Sequence, residues 1–359
     1  MPHRPPHRPP LRPSRRLRRG IAPFALALPL LVFTLLPTGA QAPAPGSPPV
    51  TAPGFSALEE LTRSVVGVSA EVPADARTAP ALGTRREGSG IVIDRLGRVI
   101  TIGYVILEAE RVRLTRHDGQ AFPARVLGYD ADSGLGLLQA LAPLEVEPLP
   151  LGSAHGLAER DPVLMISRRG SEAVESVTVV SRRTFTGYWE YLLEEAIYTA
   201  PAQGDYAGAA LLDKELRLVG VGSLYVQNSL ADDAEVPGNL FVPIDRLSPV
   251  LEDLVRQGRP GGPARPWLGI NVAEQFGRVI VTRVTPQGPA DQAGVHPGDL
   301  ILEVGGHKLR GLEHFYRRLW ALGEAGVTVK LRLLQRNDLV ALSVHSQDRY
   351  AHYRLAPRR

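Results

Sequence analysis

Between residues 55 and 251 the chain alternates short apolar runs with Gly, Asp and Pro punctuation. VVGVSA, GSGIVID, RVRLTR, FPARVLG, LGLLQAL, PVLMIS, SVTVVSRR, LRLVGVGSLYV and NLFVPI follow one another in this way. Many short β-branched segments separated by turn signals predict an all-β barrel or sandwich. The period changes at DRLSPVLEDLVR (245–256), where helical apolar spacing behind an Asp predicts a helix that closes this unit. RQGRPGGPARP (256–266) then reads as a Gly/Pro/Arg connection.

A second unit begins at Trp267. It is predicted to contain a strand over VIVTRV, a turn at TPQGP, a small helix around ADQAG, and a loop at VHPGD. The strand LILEV, a Gly305-Gly306 turn, a helix over LEHFYRRLWAL, and two last strands, VTVKLRLLQ and DLVALSVHS, complete it. The resulting division is 1–40 signal peptide, 41–54 Pro-rich linker, 55–255 first domain, 256–265 linker, 266–348 second domain and 349–359 C-terminal tail. The fold class is mainly β.

The N-terminus changes how the charge is read. The first twenty residues hold seven arginines and no acid, and IAPFALALPLLVFTLLP follows directly. A basic start, an apolar run and a small-residue exit are the layout of a bacterial export signal, with Thr38-Gly39-Ala40 offering cleavage after Ala40. Ser14-Arg15-Arg16 leaves export by the general or the twin-arginine route open. The expected location is the periplasm; the alternative is an uncleaved anchor in the inner membrane over residues 21–37. The 41 basic residues fall to 34 once those seven arginines are removed, against 37 acidic ones. The high pI is then a property of the precursor, and nucleic-acid binding loses its electrostatic motive. QAPAPGSPPVTAPG (41–54) reads as an extended, solvated linker.

With no cysteine in the chain there is no disulfide, no thiolate nucleophile and no cysteine-ligated metal. His307 and His314 lack acidic partners at ligand spacing, so no metal is expected, and no phosphate-cradling loop points to a nucleotide. No cofactor is expected.

GDYAGAALLD (204–213) has the shape of the glycine-rich loop that carries the nucleophilic serine in trypsin-like proteases, with Tyr206 at the serine position. GSGIVIDRLGRVIT leads into TIGYVI, and ARVLGYDADSGLGLLQ resembles a segment that supplies an aspartate. On these motifs the chain resembles the HtrA/Deg group of envelope serine proteases: a trypsin-like double β-barrel followed by one PDZ domain. The likeness covers residues 55–348. It implies that the histidine position is Tyr104, the aspartate position Gly134 and the serine position Tyr206. Gly134 follows Tyr104 by 30 positions and Tyr206 follows Gly134 by 72, spacings that agree with such a barrel.

Such a site needs an activated oxygen, a base, a group that orients the base, and oxyanion donors. Gly204 and the backbone around Tyr206 keep donors, but the three positions supply no base. Asp130 and Asp132 flank the vacated aspartate position without serving it, and His117 and His155 lie in surface turns. The resemblance thus implies an inactive pseudoprotease, with an active serine-type endopeptidase of unconventional site as the alternative.

In the second domain RPWLGI matches the carboxylate-binding loop of PDZ domains, and TRVTPQGPADQAGVHPGDLILEVGG matches their turn, helix and strand. This implies binding of an extended peptide as an added strand, its carboxylate held by the N–H groups of Leu268, Gly269 and Ile270 beside Trp267. His314, Tyr316, Arg317 and Trp320 on the following helix are the candidates for side-chain selection. The expected partners are peptide C-termini or unfolded envelope proteins, with an active protease as a further one. A membrane is a partner only if the signal segment is retained. GFSALEEL around Phe55 resembles the family's trimerisation segment and implies a homotrimer.

Overall fold

The structure, a computed structural model, describes residues 55–168, 174–231 and 235–354. The export signal, the Pro-rich linker, the side chain of Phe55 and residues 355–359 lie outside the described residues.

After helix α1 (Phe55–Arg63), six strands close the first barrel: β1 (Val65–Glu71), β2 (Arg85–Val92), β3 (Arg98–Ile102), β4 (Arg111–Thr115), β5 (Ala121–Tyr129) and β6 (Leu135–Ala140). Their order is β1-β2-β3-β6-β5-β4, and β4 pairs back on β1 through Gly67–Glu71. Short helices interrupt it at α2 (Ala79–Leu82) and α3 (Gly103–Ile106). The second barrel, in the order β10-β11-β12-β9-β8-β7, uses β7 (Pro162–Ile166), β8 (Val174–Gly187), β9 (Tyr191–Ala200), β10 (Ala210–Leu212), β11 (Leu218–Val226) and β12 (Gly238–Pro243). Closure leaves neither sheet an open edge. Val66, Ile91, Ile100, Leu138, Ile166 and Leu212 belong to a core cluster fed by strands of both barrels.

The helix expected over 245–256 is shorter than its apolar spacing suggests. Ile244–Arg246 form a 3₁₀ turn, and α4 spans only Leu251–Gln257. Asp245 does not cap α4; its carboxylate accepts the Ser153 hydroxyl (2.6 Å) and the Ala154 N–H (2.7 Å), and Pro249 stands before the helix. A whole strand, β9, was not legible as one, because Glu194 and Glu195 interrupt its apolar run. Both glutamates are exposed, and Glu195 takes a positive φ of 55°.

The second domain is a sheet in the order β14-β15-β16-β18-β19: β14 (Ile270–Gln275), β15 (Arg278–Val284), β16 (Leu300–Val304), β18 (Thr328–Gln335) and β19 (Asp338–His345). The short β17 (His307–Lys308) pairs with β16. Helices α5 (Pro289–Gln292) and α6 (Leu312–Trp320) pack on it, α6 burying Leu312, Phe315, Tyr316 and Leu319. Leu192 of β9 joins this core, so the β8–β9 hairpin of the second barrel is part of the second domain's packing.

The residues after 348 are not a free tail as far as they are described. β13 (Pro266–Trp267) pairs with β20 (Gln347–Asp348), Asp348 caps α7 (Arg349–His352), and Tyr350 reaches the first barrel, where its hydroxyl accepts the Ala131 N–H at 2.8 Å. Arg354 goes further, pairing with Asp75 at 2.6 Å.

Candidate functional site

Helix α3 follows β3 directly and presents Tyr104 between the barrels. Its hydroxyl donates to the Ser223 carbonyl at 2.8 Å. Burial, reinforced by the neighbouring Tyr206, pushes the Tyr104 phenol far above its ordinary value. One residue earlier, the Gly103 N–H donates to the Gly134 carbonyl at 2.7 Å, which ties the Tyr104 and Gly134 segments together.

The turn that holds Gly134 is organised by Asp130. The Asp130 carboxylate accepts the N–H of Asp132 (3.0 Å) and of Ser133 (3.2 Å) and the Ser133 hydroxyl (2.5 Å). Burial nonetheless pushes this carboxyl up. Asp132 pairs with Arg265 at 3.1 Å, so both flanking aspartates have structural partners. Gly134 itself sits at φ +80°, where a side chain is strained, and a Cβ there would lie 3.4 Å from the Tyr191 hydroxyl. That hydroxyl donates to the Ser133 carbonyl at 2.6 Å.

The glycine-rich loop closes the seam from the other barrel. Ser89 of β2 donates its N–H to Ala207 O (2.7 Å), Gly208 N–H donates to Gly222 O (2.8 Å), and Gly222 N–H donates to Ala209 O (2.8 Å). Tyr206 is half-buried against the second-barrel cluster, and Gly204 occupies an open turn where a Cβ would meet nothing within 4 Å. The three positions that the sequence resemblance assigns to histidine, aspartate and serine are thus brought into one neighbourhood, as two phenols and a glycine.

Neither barrel histidine hydrogen-bonds to the phenols among the described residues. His117 is exposed in the β4–β5 turn, and His155 lies 3.6 Å from Asp245 with most of its side chain in solvent. A cleft of about 640 Å³ does gather Asp130, Ser133, His155 and Asp245. Its serine is committed, however: the hydroxyl gives its proton to Asp130 and accepts the Leu135 N–H at 3.2 Å. Among the described residues no group of three or more His, Asp or Glu could hold a metal ion.

The second candidate site is the loop before β14. Leu268 N–H (3.0 Å), Gly269 N–H (2.7 Å) and Ile270 N–H (3.0 Å) converge, and a carboxylate accepts from all three: that of Glu190, at the tip of the β8–β9 hairpin. Gly269 is at φ +78°, which only glycine adopts without strain, and this geometry turns successive N–H groups inward. Val272 N–H of β14 donates to Tyr188 O at 2.8 Å, as it would to an added strand.

Of the side chains expected to select a ligand, Tyr316 alone reaches this carboxylate-bearing segment. Its hydroxyl donates to Gly187 O at 2.7 Å and accepts the Glu190 N–H at 3.1 Å. Trp320 stacks on Tyr316 (5.3 Å, 9°) and carries Arg265 on its face. Arg317 turns to Glu194 and Glu313, each at 2.8 Å, and His314 accepts from Arg318 at 3.2 Å. Trp267 packs against His352 of α7. Glu190 and its neighbours were missed from sequence because the groove and its occupant are some 80 positions apart. The aromatic tip FTGYWEY was the one local cue.

Two family models match the chain: "Trypsin-like peptidase domain" over residues 88–221 and "PDZ domain" over 266–345. Among curated proteins, Protease Do-like 1, chloroplastic, of Arabidopsis thaliana is 30% identical over 288 residues. The match covers 73% of this chain and 64% of the relative. Serine endoprotease DegS of Escherichia coli K12 is 26% identical over 286 residues, covering 71% of this chain and 78% of DegS. Among solved structures, the HtrA-type protease AlgW with a decapeptide aligns with a TM-score of 0.50 at 19% identity, covering 84% of this chain and 98% of that one; this is a likeness of fold.

Proposed function

The chain belongs to the HtrA-type family of trypsin-like serine peptidases with one PDZ domain, and from that premise we propose that it is a pseudoprotease that works by binding protein segments through its PDZ groove. The observation that carries this reading is the Tyr104–Gly134–Tyr206 neighbourhood, in which the first phenol is bonded to the Ser223 carbonyl and the second is packed on a barrel core.

Fold does not establish chemistry. A free phenol is ionised to about one part in a thousand at neutral pH, and burial lowers that fraction further for Tyr104. Loss of a triad serine or histidine alone costs on the order of a million-fold in turnover, about 8 kcal/mol of barrier. Among the described residues no histidine hydrogen-bonds to either phenol to offset such a loss. The N-terminal layout supports action in the periplasm, on unfolded envelope proteins or exposed C-termini. The family resemblance around Phe55 supports a trimer.

Labelled casein incubated with the chain lacking residues 1–40, beside Tyr206→Ala prepared identically, is expected to stay intact in both. Cleavage by the parent that is lost in the variant would establish an unconventional peptidase and overturn the reading.

A further inference from the structure

We propose that the β8–β9 hairpin is a built-in ligand of the PDZ groove, Glu190 standing in for a peptide's terminal carboxylate, so that external C-termini bind only by displacing it. This rests on the reading of the groove as a site for C-termini and names how that site is regulated.

A PDZ-type groove recognises an added strand by main-chain hydrogen bonds and a terminal carboxylate by backbone donors. Both functions are already in use. The Glu190 carboxylate takes all three loop donors, and Tyr188, two residues upstream, pairs with β14 through the Val272 N–H. An internal residue can mimic a chain end only if the backbone leaves sharply behind it. Glu190 is at φ +56°, in the left-handed region uncommon for a residue with a Cβ, and the chain turns there into β9.

The occupant is also clamped from two sides. Tyr316 bridges Gly187 O and Glu190 N–H from the groove wall, and Arg349 donates to Glu190 O (2.5 Å) and Trp189 O (3.3 Å) from the segment after the sheet. Glu190 is 1% exposed. Burial pushes this carboxyl up, opposed by the Arg349 charge and the three N–H donors. A tethered ligand acts at millimolar effective concentration, so an external peptide is weakened by the fraction of time the groove stands open.

The test uses the chain without residues 1–40, its Glu190→Ala variant, and fluorescein-labelled decapeptides randomised at the last positions, made with either a free C-terminal carboxylate or an amide. Amide hydrogen exchange is read by NMR and peptide binding by anisotropy. The parent is expected to protect the Leu268, Gly269 and Ile270 amides, and Glu190→Ala to release them. The variant should bind the carboxylate pool at least about tenfold more tightly than the parent, and neither should bind the amide pool. Protection that is released in the variant, with no peptide bound by either protein, upholds the built-in ligand and removes the C-terminus reading of the groove. Unprotected amides in the parent, or equal binding of the carboxylate pool by parent and variant, overturn the proposal. The exchange measurement on the parent decides even if the variant does not fold.

Discussion

Gly222→Ala is expected to destabilise the protein by more than about 4 kcal/mol, lowering the melting temperature by roughly 10 °C or more if it folds at all. A Cβ at this position would lie 1.9 Å from the Tyr206 carbonyl oxygen and 3.2 Å from the Ala209 nitrogen. The atoms in the way are backbone, so no rotamer change relieves the overlap. They also cannot retreat freely, because this stretch is the seam between the barrels. Ser89 N–H holds Ala207 O from the first barrel, and the Thr101 hydroxyl holds Ser89 O at 2.7 Å. Gly208→Ala should be comparably severe, since φ is +73° there and a Cβ would stand 2.0 Å from Ser89 O. Gly204→Ala, in the same loop but in open space, should move stability by less than about 0.5 kcal/mol. Thermal unfolding of the three variants checks the ranking. If Gly222→Ala melts with the parent, the seam is looser than its geometry states.

That ranking separates the glycines around Tyr206: Gly208 of the loop and Gly222 of β11 are required by the close approach of two backbones whatever chemistry the loop performs, and Gly204 is not. It also marks what could be read in advance. VVGVSA, RVRLTR and PVLMIS announce β1, β4 and β7 because one sheet face packs on a core, so β-branched residues repeat. TIGYVI and GDYAGAALLD single out Tyr104 and Tyr206 by family resemblance, and the two phenols are neighbours in the fold. Long-range partnerships leave no such mark in the sequence. Nothing in YLLEEAIYTA says that Glu194 faces Arg317 of α6, so the two exposed acids conceal a strand that is otherwise mostly buried. Asp245 shows the converse: its position before a helical pattern suggested a cap, yet the Ser153 hydroxyl and Ala154 N–H, some ninety residues earlier, compete for the same carboxylate. Leu268, Gly269 and Ile270 are legible as carboxylate donors through the resemblance of RPWLGI to a PDZ loop. The carboxylate they hold is not.

Glu108→Ala is the second large effect expected, a loss of about 3 kcal/mol near neutral pH. Its carboxylate, 6% exposed, accepts from Thr78 N–H and the Thr78 hydroxyl (both 2.7 Å), from Arg77 N–H (3.3 Å) and from Arg354 N–H (3.1 Å). Removing it strands four donors. It also removes the countercharge of buried Arg86, which is bonded to the carbonyls of Tyr104 and Leu107, each at 2.9 Å. Burial alone would raise the Glu108 carboxyl, but the four hydrogen bonds together outweigh it and hold the group below its ordinary value. A carboxyl lowered by folding contributes stability above its unfolded value, about 4.3, that disappears as pH falls through the folded one. The gap in melting temperature between parent and Glu108→Ala should therefore be widest near pH 6 and shrink towards about pH 3. A gap that stays constant with pH would mean the lost stability is packing and not the anion. Because Arg354 lies five residues beyond Arg349, loosening it should also weaken the clamp on the hairpin. Glu108→Ala, although far from the groove in sequence, is thus expected to speed amide exchange at Leu268, Gly269 and Ile270.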